Sequence, residues 1–221
     1  LSDYGNAYLV ASYVRWVESA GARAIPVPWS ASEAQLHEIF QSTNGILFPG
    51  GGTSLSGHGG PEGIAYKSAG ATLFALAKAA NDAGTVYPLW GTCLGFEELM
   101  ELSVNSTAVL RRTSGTDPML APVTLTAAAT QSKLLAGSPS TRDALENGGN
   151  VSIHLHGFGV YVDTFTSNVR PGLIAMQKTC LVFHYADRET QGLSSFWEIL
   201  GTNVDAMGTH FVSLAEAHHY P

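Results

Sequence analysis

One cysteine stands where an enzyme would place a nucleophile. Gly91-Thr92-Cys93-Leu94-Gly95 has the spacing Gly-x-nucleophile-x-Gly, after the apolar run Val86-Tyr87-Pro88-Leu89-Trp90 and before a segment, Phe96 to Leu102, that reads as helix. A strand turning sharply into a helix holds such a residue over a sheet edge with its side chain projecting. Glycines two residues to either side let the chain pass close to its neighbours. The helix N-terminus behind the sulfur aligns amide dipoles that favour thiolate. The chemistry this arrangement suits is attack on an acyl carbon, with the Leu94 amide donating to the oxyanion. An inert buried cysteine is the plainer alternative, because cysteine is often buried.

A second turn stands beside it in the pattern. Phe48-Pro49-Gly50-Gly51-Gly52 follows the apolar run Gly45-Ile46-Leu47-Phe48. Backbone amides in such a turn can supply a second oxyanion donor. The turn is no phosphate loop, since the Gly-Lys-Ser/Thr ending is absent. Glu97 and Glu98 fall in the first turn of the helix behind Cys93, where acidic side chains suit the helix dipole; gripping substrate is the sharper reading of Glu97. Arg111 and Arg112 can attract carboxylates or simply be solvated.

The elements that position these turns alternate between strand and helix. Residues 6–20 read as a helix stopped by Gly21, Ala22 to Pro28 as a strand, and Ser32 to Phe40 as a helix capped by Ser32. Gly45 to Phe48 is a strand, Thr53 to Gly63 a surface loop, Ala65 to Ala83 a helix, and Val86 to Trp90 a strand. This order predicts an α/β fold with a parallel sheet and helices on both faces. Ligands then bind where the carboxyl ends of the strands meet loops, the edge that carries both glycine turns. Further strands are expected at Pro122 to Thr126, Val151 to Val162, Trp197 to Thr202 and Thr209 to Ala215, with an irregular stretch from Thr166 to Ser195.

Composition narrows the function classes. The chain has 221 residues, 45% hydrophobic and 13% charged, with a net charge of −7. It is long enough for one domain with a sizeable core. The acidic balance and the lack of basic runs exclude a nucleic-acid surface. No apolar run reaches the roughly 18 residues that would span a bilayer. Two cysteines, Cys93 and Cys180, make no disulfide framework. The histidines show no paired spacing with cysteine, so no metal is expected.

With these residues in view, the chain resembles the γ-glutamyl hydrolase (conjugase) family of the class I glutamine amidotransferase-like superfamily. The resemblance rests on Trp90-Gly91-Thr92-Cys93-Leu94-Gly95-Phe96-Glu97-Glu98-Leu99. Three further stretches agree: Ala11 through Arg23, Asn44 through Gly51, and Tyr87-Pro88-Leu89. It implies a flavodoxin-like open, mostly parallel sheet in a single domain over residues 1–221. It implies a cysteine peptidase that cleaves γ-linked glutamates from folate and antifolate polyglutamates through a thioacyl-enzyme, with no cofactor. By position, Cys93 would be the nucleophile, Leu94 and Gly51 the oxyanion hole, and Glu97 a substrate contact. His156 in Leu155-His156-Gly157-Phe158 is similar to a substrate-contacting family histidine in a Phe-His-x-Trp context; Phe158 stands for the Trp, and His154 is the competing choice.

The family's catalytic histidine lies in a Trp-His-Pro-Glu segment. Ala215 to Pro221 matches only the approach to it, and the first family strand is not found before Leu1. The expectation is therefore an enzyme represented in part. The alternative is a non-catalytic relative that serves as a binding or structural subunit; a glutaminase with a synthetase partner is a third reading. His218 and His219 read as edge residues, His184 and His210 as structural, His37 and His58 as surface, and Cys180 as inert. Asn105-Ser106-Thr107 and Asn150-Val151-Ser152 fit the glycosylation sequon, so Asn105 and Asn150 are candidate sugar sites. The resemblance adds a secretory route to a vacuole, lysosome or the exterior, and a homodimer or a larger complex as the assembly.

Overall fold

The structure is a computed structural model, and it describes residues 5, 7–55, 60–114, 119–122, 124–125, 139–150, 152–154 and 156–160. The elements run α1 (Ala11–Ser19), α2 (Glu33–Gln41), β1 (Ile46–Phe48), α3 (Gly60–Asp82), β2 (Leu89–Gly91) and α4 (Leu94–Val104). A 3-10 turn (Thr107–Val109) leads into β3 (Leu110–Arg112), then come β4 (Met119–Ala121), α5 (Pro139–Asn147), β5 (Ser152–His154) and β6 (Phe158–Val160). Helices and small sheets alternate, which is an α/β arrangement. β1 and β2 pair in parallel, with Phe48 opposite Gly91, while β3 pairs with β6 and β4 with β5, both antiparallel. No helix among the described residues is long and apolar enough to cross a membrane.

Local chemistry explains where the helices start. Ser32 caps α2 through a capping box: Gln35 N–H donates to Ser32 Oγ, and Ser32 N–H donates to Gln35 Oε1 at 2.9 Å. α1 has no such side-chain cap and begins at Ala11, not at Asn6 as the apolar pattern predicts. Tyr8, Leu9 and Val10 stand exposed ahead of it. Among the described residues the strand expected over Ala22 to Pro28 forms no ladder: Ile25 and Val27 alternate as strand residues would, yet both are exposed.

The core lies between α3, β2 and α4. Phe48, Phe74, Ala77, Tyr87, Leu89, Phe96, Leu99 and Met100 pack together there, joined by Val109 and by Val160 of β6. α2 docks on α3 through Leu36, Ala69 and Leu73. α1 reaches β2 through Trp16, whose ring centroid lies 4.7 Å from that of Trp90. Fully burying side chains such as Leu89 and Leu99 contributes about 1.5–3 kcal/mol each.

One buried amide guides the chain into β2. Asn81 near the end of α3 donates to the carbonyls of Ala77 and Tyr87 at 2.7 and 2.8 Å and accepts from Tyr87 N–H at 3.1 Å. Tyr87 therefore bonds to the preceding helix, while Pro88 O accepts from Ile46 N–H at 3.0 Å, and the strand starts three residues later than its apolar run suggests.

In the second half, a strand stands at Met119–Ala121, and the strand expected at Pro122 to Thr126 lies partly outside the described residues. Within the run expected over Val151 to Val162, the described residues hold two strands, β5 and β6, with His156 and Gly157 between them. α5 has no counterpart in the sequence reading. The expected elements from Thr166 onward lie outside the described residues, as do Cys180, His58, His184, His210, His218 and His219.

Candidate active site

The parallel pairing of β1 and β2 brings the two glycine turns side by side. Thr92 N–H donates to Phe48 O at 3.0 Å, extending the ladder past Gly91, and Gly95 N–H donates to Pro49 O at 3.1 Å. The glycines of the elbow are demanded by closeness. A Cβ at Gly91 would lie 2.7 Å from both Gly95 O and Leu99 Cδ1, and a Cβ at Gly95 would overlap the Phe48 backbone.

Cys93 sits at the apex with φ 53° and ψ −112°. Only Cys93 and Asn105 have positive φ among the described non-glycine residues. For a residue with a Cβ, such a backbone costs on the order of 1–3 kcal/mol and persists only where its surroundings enforce it. Here the enforcing contacts are the Gly95–Pro49 bond and the start of α4, where Glu97 N–H donates to Cys93 O at 3.0 Å. Cys93 is half-buried.

The Gly50 turn faces the cysteine. A Cβ at Gly50 would lie 3.2 Å from Cys93 Cβ, and one at Gly51 would lie 3.3 Å from Leu94 Cδ2. Gly50 N–H donates to the Tyr13 hydroxyl at 2.9 Å. Tyr13 of α1 is therefore part of the site's frame, a residue that the sequence reading treated only as helix surface. Its signal was its place in the stretch from Ala11 to Arg23, which carries the family resemblance.

The two acids behind Cys93 have different surroundings. Glu97 is half-buried, and its pKa is pushed up to about 7 by burial first, then by the negative charge of Cys93 and of Glu101. Glu98 is fully buried against α3, and among the described residues neither carboxylate oxygen has a hydrogen-bond partner. Burial raises its pKa to about 8; the Tyr66 hydroxyl and Lys67 oppose the rise, and Glu101 adds to it. The dipole expected to favour both acids is outweighed at Glu98 by loss of water. Beside it, Lys67 donates to Glu101 at 2.6 Å and to Leu55 O at 3.2 Å.

His156 lies in the turn between β5 and β6, buried, with Nδ1 2.6 Å from Phe158 O and Nε2 3.0 Å from His154 Nδ1. Burial and His156 both hold the His154 pKa below its ordinary value. Phe158 is 43% exposed, with the Arg112 guanidinium 5.5 Å from its ring centroid. Arg111 and Arg112 stand exposed on β3. Asn105 ends α4 in the left-handed conformation and is exposed, as are Asn150 and His37. Among the described residues no group of three His, Cys, Asp or Glu could hold a metal ion.

The Peptidase C26 family model matches residues 1–106, which include both glycine turns and all of α4. The chain is 34% identical over 224 residues to γ-glutamyl hydrolase of Mus musculus, covering all of this chain and 60% of that protein. Residues 1–106 are thus similar to the Peptidase C26 family. Two other relatives are similar over nearly the whole chain: γ-glutamyl hydrolase B of Dictyostelium discoideum, 32% identical over 219 residues (99% of this chain, 55% of that protein), and γ-glutamyl hydrolase of Homo sapiens, 30% identical over 221 residues (100% and 60%). The chain thus spans 55–60% of the length of these curated relatives. The Peptidase C26 match implies a glutamine amidotransferase-like fold, which the parallel β1–β2 pair and the strand-turn-helix at Cys93 suit.

Proposed function

We propose that this chain hydrolyses γ-glutamyl bonds of folate and antifolate polyglutamates with Cys93 as nucleophile. One observation carries the reading: Cys93 is held at positive φ on a strand-to-helix elbow, directly against the Gly50–Gly51 turn. A backbone strain of this kind at a reactive residue is what a nucleophile elbow requires.

The thiolate would attack the γ-amide carbonyl, forming the thioester and expelling the amine; water would then release the acid and restore the thiol. The Leu94 amide begins α4 and, by position, has no acceptor within the helix, which suits it to an oxyanion. Gly51 is the second donor in this reading, since the Gly50 amide already donates to Tyr13. Glu97, close enough to Cys93 for each to feel the other's charge, would contact the glutamyl group in its protonated form. His156 belongs to the substrate-binding side.

The proposal extends to the whole protein: a single domain built on a flavodoxin-like, mostly parallel sheet, glycosylated at Asn105 and Asn150. It would travel the secretory route to a vacuole, lysosome or the exterior, and work as a homodimer or in a larger complex. The exposure of both asparagines supports the sugar sites.

The test is to incubate the full-length protein and its Cys93→Ala variant with folate pentaglutamate and to follow chain shortening by chromatography. Shortening by the parent and none by the variant is expected. No shortening at acid or neutral pH by the parent overturns the activity, and equal rates overturn the role of Cys93.

A further inference from the structure

The turn that faces Cys93 has no side chains of its own to hold it. Gly50, Gly51 and Gly52 follow β1 in succession, and Gly51 and Gly52 are exposed. A run of glycines reaches many backbone conformations, so the aim of an amide within it is set by whatever fixes the two ends. The near end is fixed by β1 and by the bond from Gly50 N–H to the Tyr13 hydroxyl at 2.9 Å. The far end is Leu55, which is buried.

That far end rests on α3. A Cβ at Gly63 would lie 2.8 Å from Ser54 O, so the helix packs directly on this peptide. Four residues further, on the same face of α3, Lys67 Nζ donates to Leu55 O at 3.2 Å. The same ammonium donates to Glu101 Oε2 at 2.6 Å. Glu101 belongs to α4, about two turns along the helix that begins beside Cys93. Lys67 therefore joins the far end of the glycine turn to the elbow helix. Its anchor is firm: Glu101 is 5% exposed against 30% for Lys67, and a bond between two charged groups is about twice as strong as a neutral one. The contact on Leu55 O is thus made from a fixed point and not from a loose surface lysine.

We propose that Lys67 is a positioning residue for the oxyanion turn: anchored on Glu101, it holds Leu55 O and so fixes the aim of the Gly51 amide beside Cys93. The part given to Gly51 rests on the proposed function; the clamp on the segment rests on the contacts alone. Lys67 touches no reacting atom. Its removal should therefore weaken stabilisation of the developing oxyanion and leave substrate binding nearly as it was.

The experiment compares the full-length protein with three variants. Lys67→Met keeps the apolar stem but leaves the Glu101 carboxylate buried without its partner. Glu101 also raises the pKa of Glu97, so this single change disturbs a second group. The double variant Lys67→Met, Glu101→Leu removes both charges and still releases Leu55 O. Lys67→Arg keeps a donor for both acceptors. Amide hydrogen exchange over residues 51–55 should be several-fold faster in the single Met variant and in the double variant, and near the parent in Lys67→Arg. With folate pentaglutamate, kcat of the double variant should fall about tenfold with KM little changed, and Lys67→Arg should recover most of it. Alkylation of Cys93 by iodoacetamide forms no oxyanion, and its rate in the double variant should stay near the parent's. Parental exchange in the double variant overturns the clamp. Faster exchange with parental kcat, or a loss of alkylation equal to the loss of kcat, overturns the positioning role. Faster exchange in a protein whose parent shows no hydrolysis confirms the clamp and overturns the proposed activity instead.

Discussion

Glu98 of α4 and Gly70 of α3 face one another with no space between them. A Cβ at residue 70 would overlap Oε1 of the Glu98 carboxylate and lie 2.7 Å from its Cδ. The missing side chain of Gly70 is thus the cradle of a fully buried acid, and the two helices approach closely on account of both residues.

Gly70→Ala tests that relationship against helix propensity. In mid-helix, alanine is favoured over glycine by about 1 kcal/mol. Forcing a methyl into a packed contact costs typically 1–3 kcal/mol. Net destabilisation is expected from denaturant unfolding, and the double variant Gly70→Ala, Glu98→Ala should lose less than the two single changes added together. Additive losses would mean that the residues do not press on one another.

Glu98 should make stability fall as pH rises. Its pKa is near 4.5 in the unfolded chain and about 8 in the folded one, so the folded state holds a proton that the unfolded state releases between those values. Below about pH 4.5 both states are protonated and nothing is lost. Through pH 4.5 to 8 stability declines, and above 8 the full cost of a buried carboxylate is present. Glu98→Gln should therefore match the parent at pH 4 and exceed it at pH 8 by an amount on the order of a few kcal/mol. Parallel stability curves from pH 4 to 9 would refute the assignment.

This acid also marks where sequence reading stops. A glutamate in a first turn ordinarily gains from the helix dipole, and only the glycine on another helix reveals that Glu98 is buried. The elbow was legible because Gly91 and Gly95 flank Cys93 at fixed spacing, and α2 because Ser32 and Gln35 form its cap. Residues 22–28 misled because alternation alone does not supply a pairing strand. α5 was missed because it buries little beyond Leu145 and Thr141, leaving scant apolar periodicity to detect. Both histidines were legible as candidates, but their contact was not, because His156 lies in the turn after β5 and not on the strand that ends at His154.

Glu97 should restrain the reactivity of Cys93. Burial first, and then the negative charges of Cys93 and Glu101, push the Glu97 pKa up to about 7, so the charge on Glu97 and that on Cys93 each raise the cost of the other. Glu97→Gln should speed alkylation of Cys93 by iodoacetamide several-fold at pH 8, where the native carboxylate is charged. Below pH 6, where Glu97 is protonated, the two rates should converge. The same ratio at both pH values would show that the carboxylate does not act on the sulfur through its charge.

The strain at Cys93 is open to a direct measurement. With φ 53° and ψ −112°, residue 93 occupies backbone space in which a Cβ is costly and glycine is at ease. Cys93→Ala removes the sulfur and keeps the strain, whereas Cys93→Gly removes both. Glycine loses more entropy on folding, by about 0.5–1 kcal/mol, but relief of strain worth about 1–3 kcal/mol should exceed that loss. Cys93→Gly should therefore unfold at higher denaturant than Cys93→Ala, with both variants inactive toward pentaglutamate. If alanine were the more stable, the elbow would be storing little strain, and the left-handed turn would be supported by α4 and the Gly95–Pro49 bond alone.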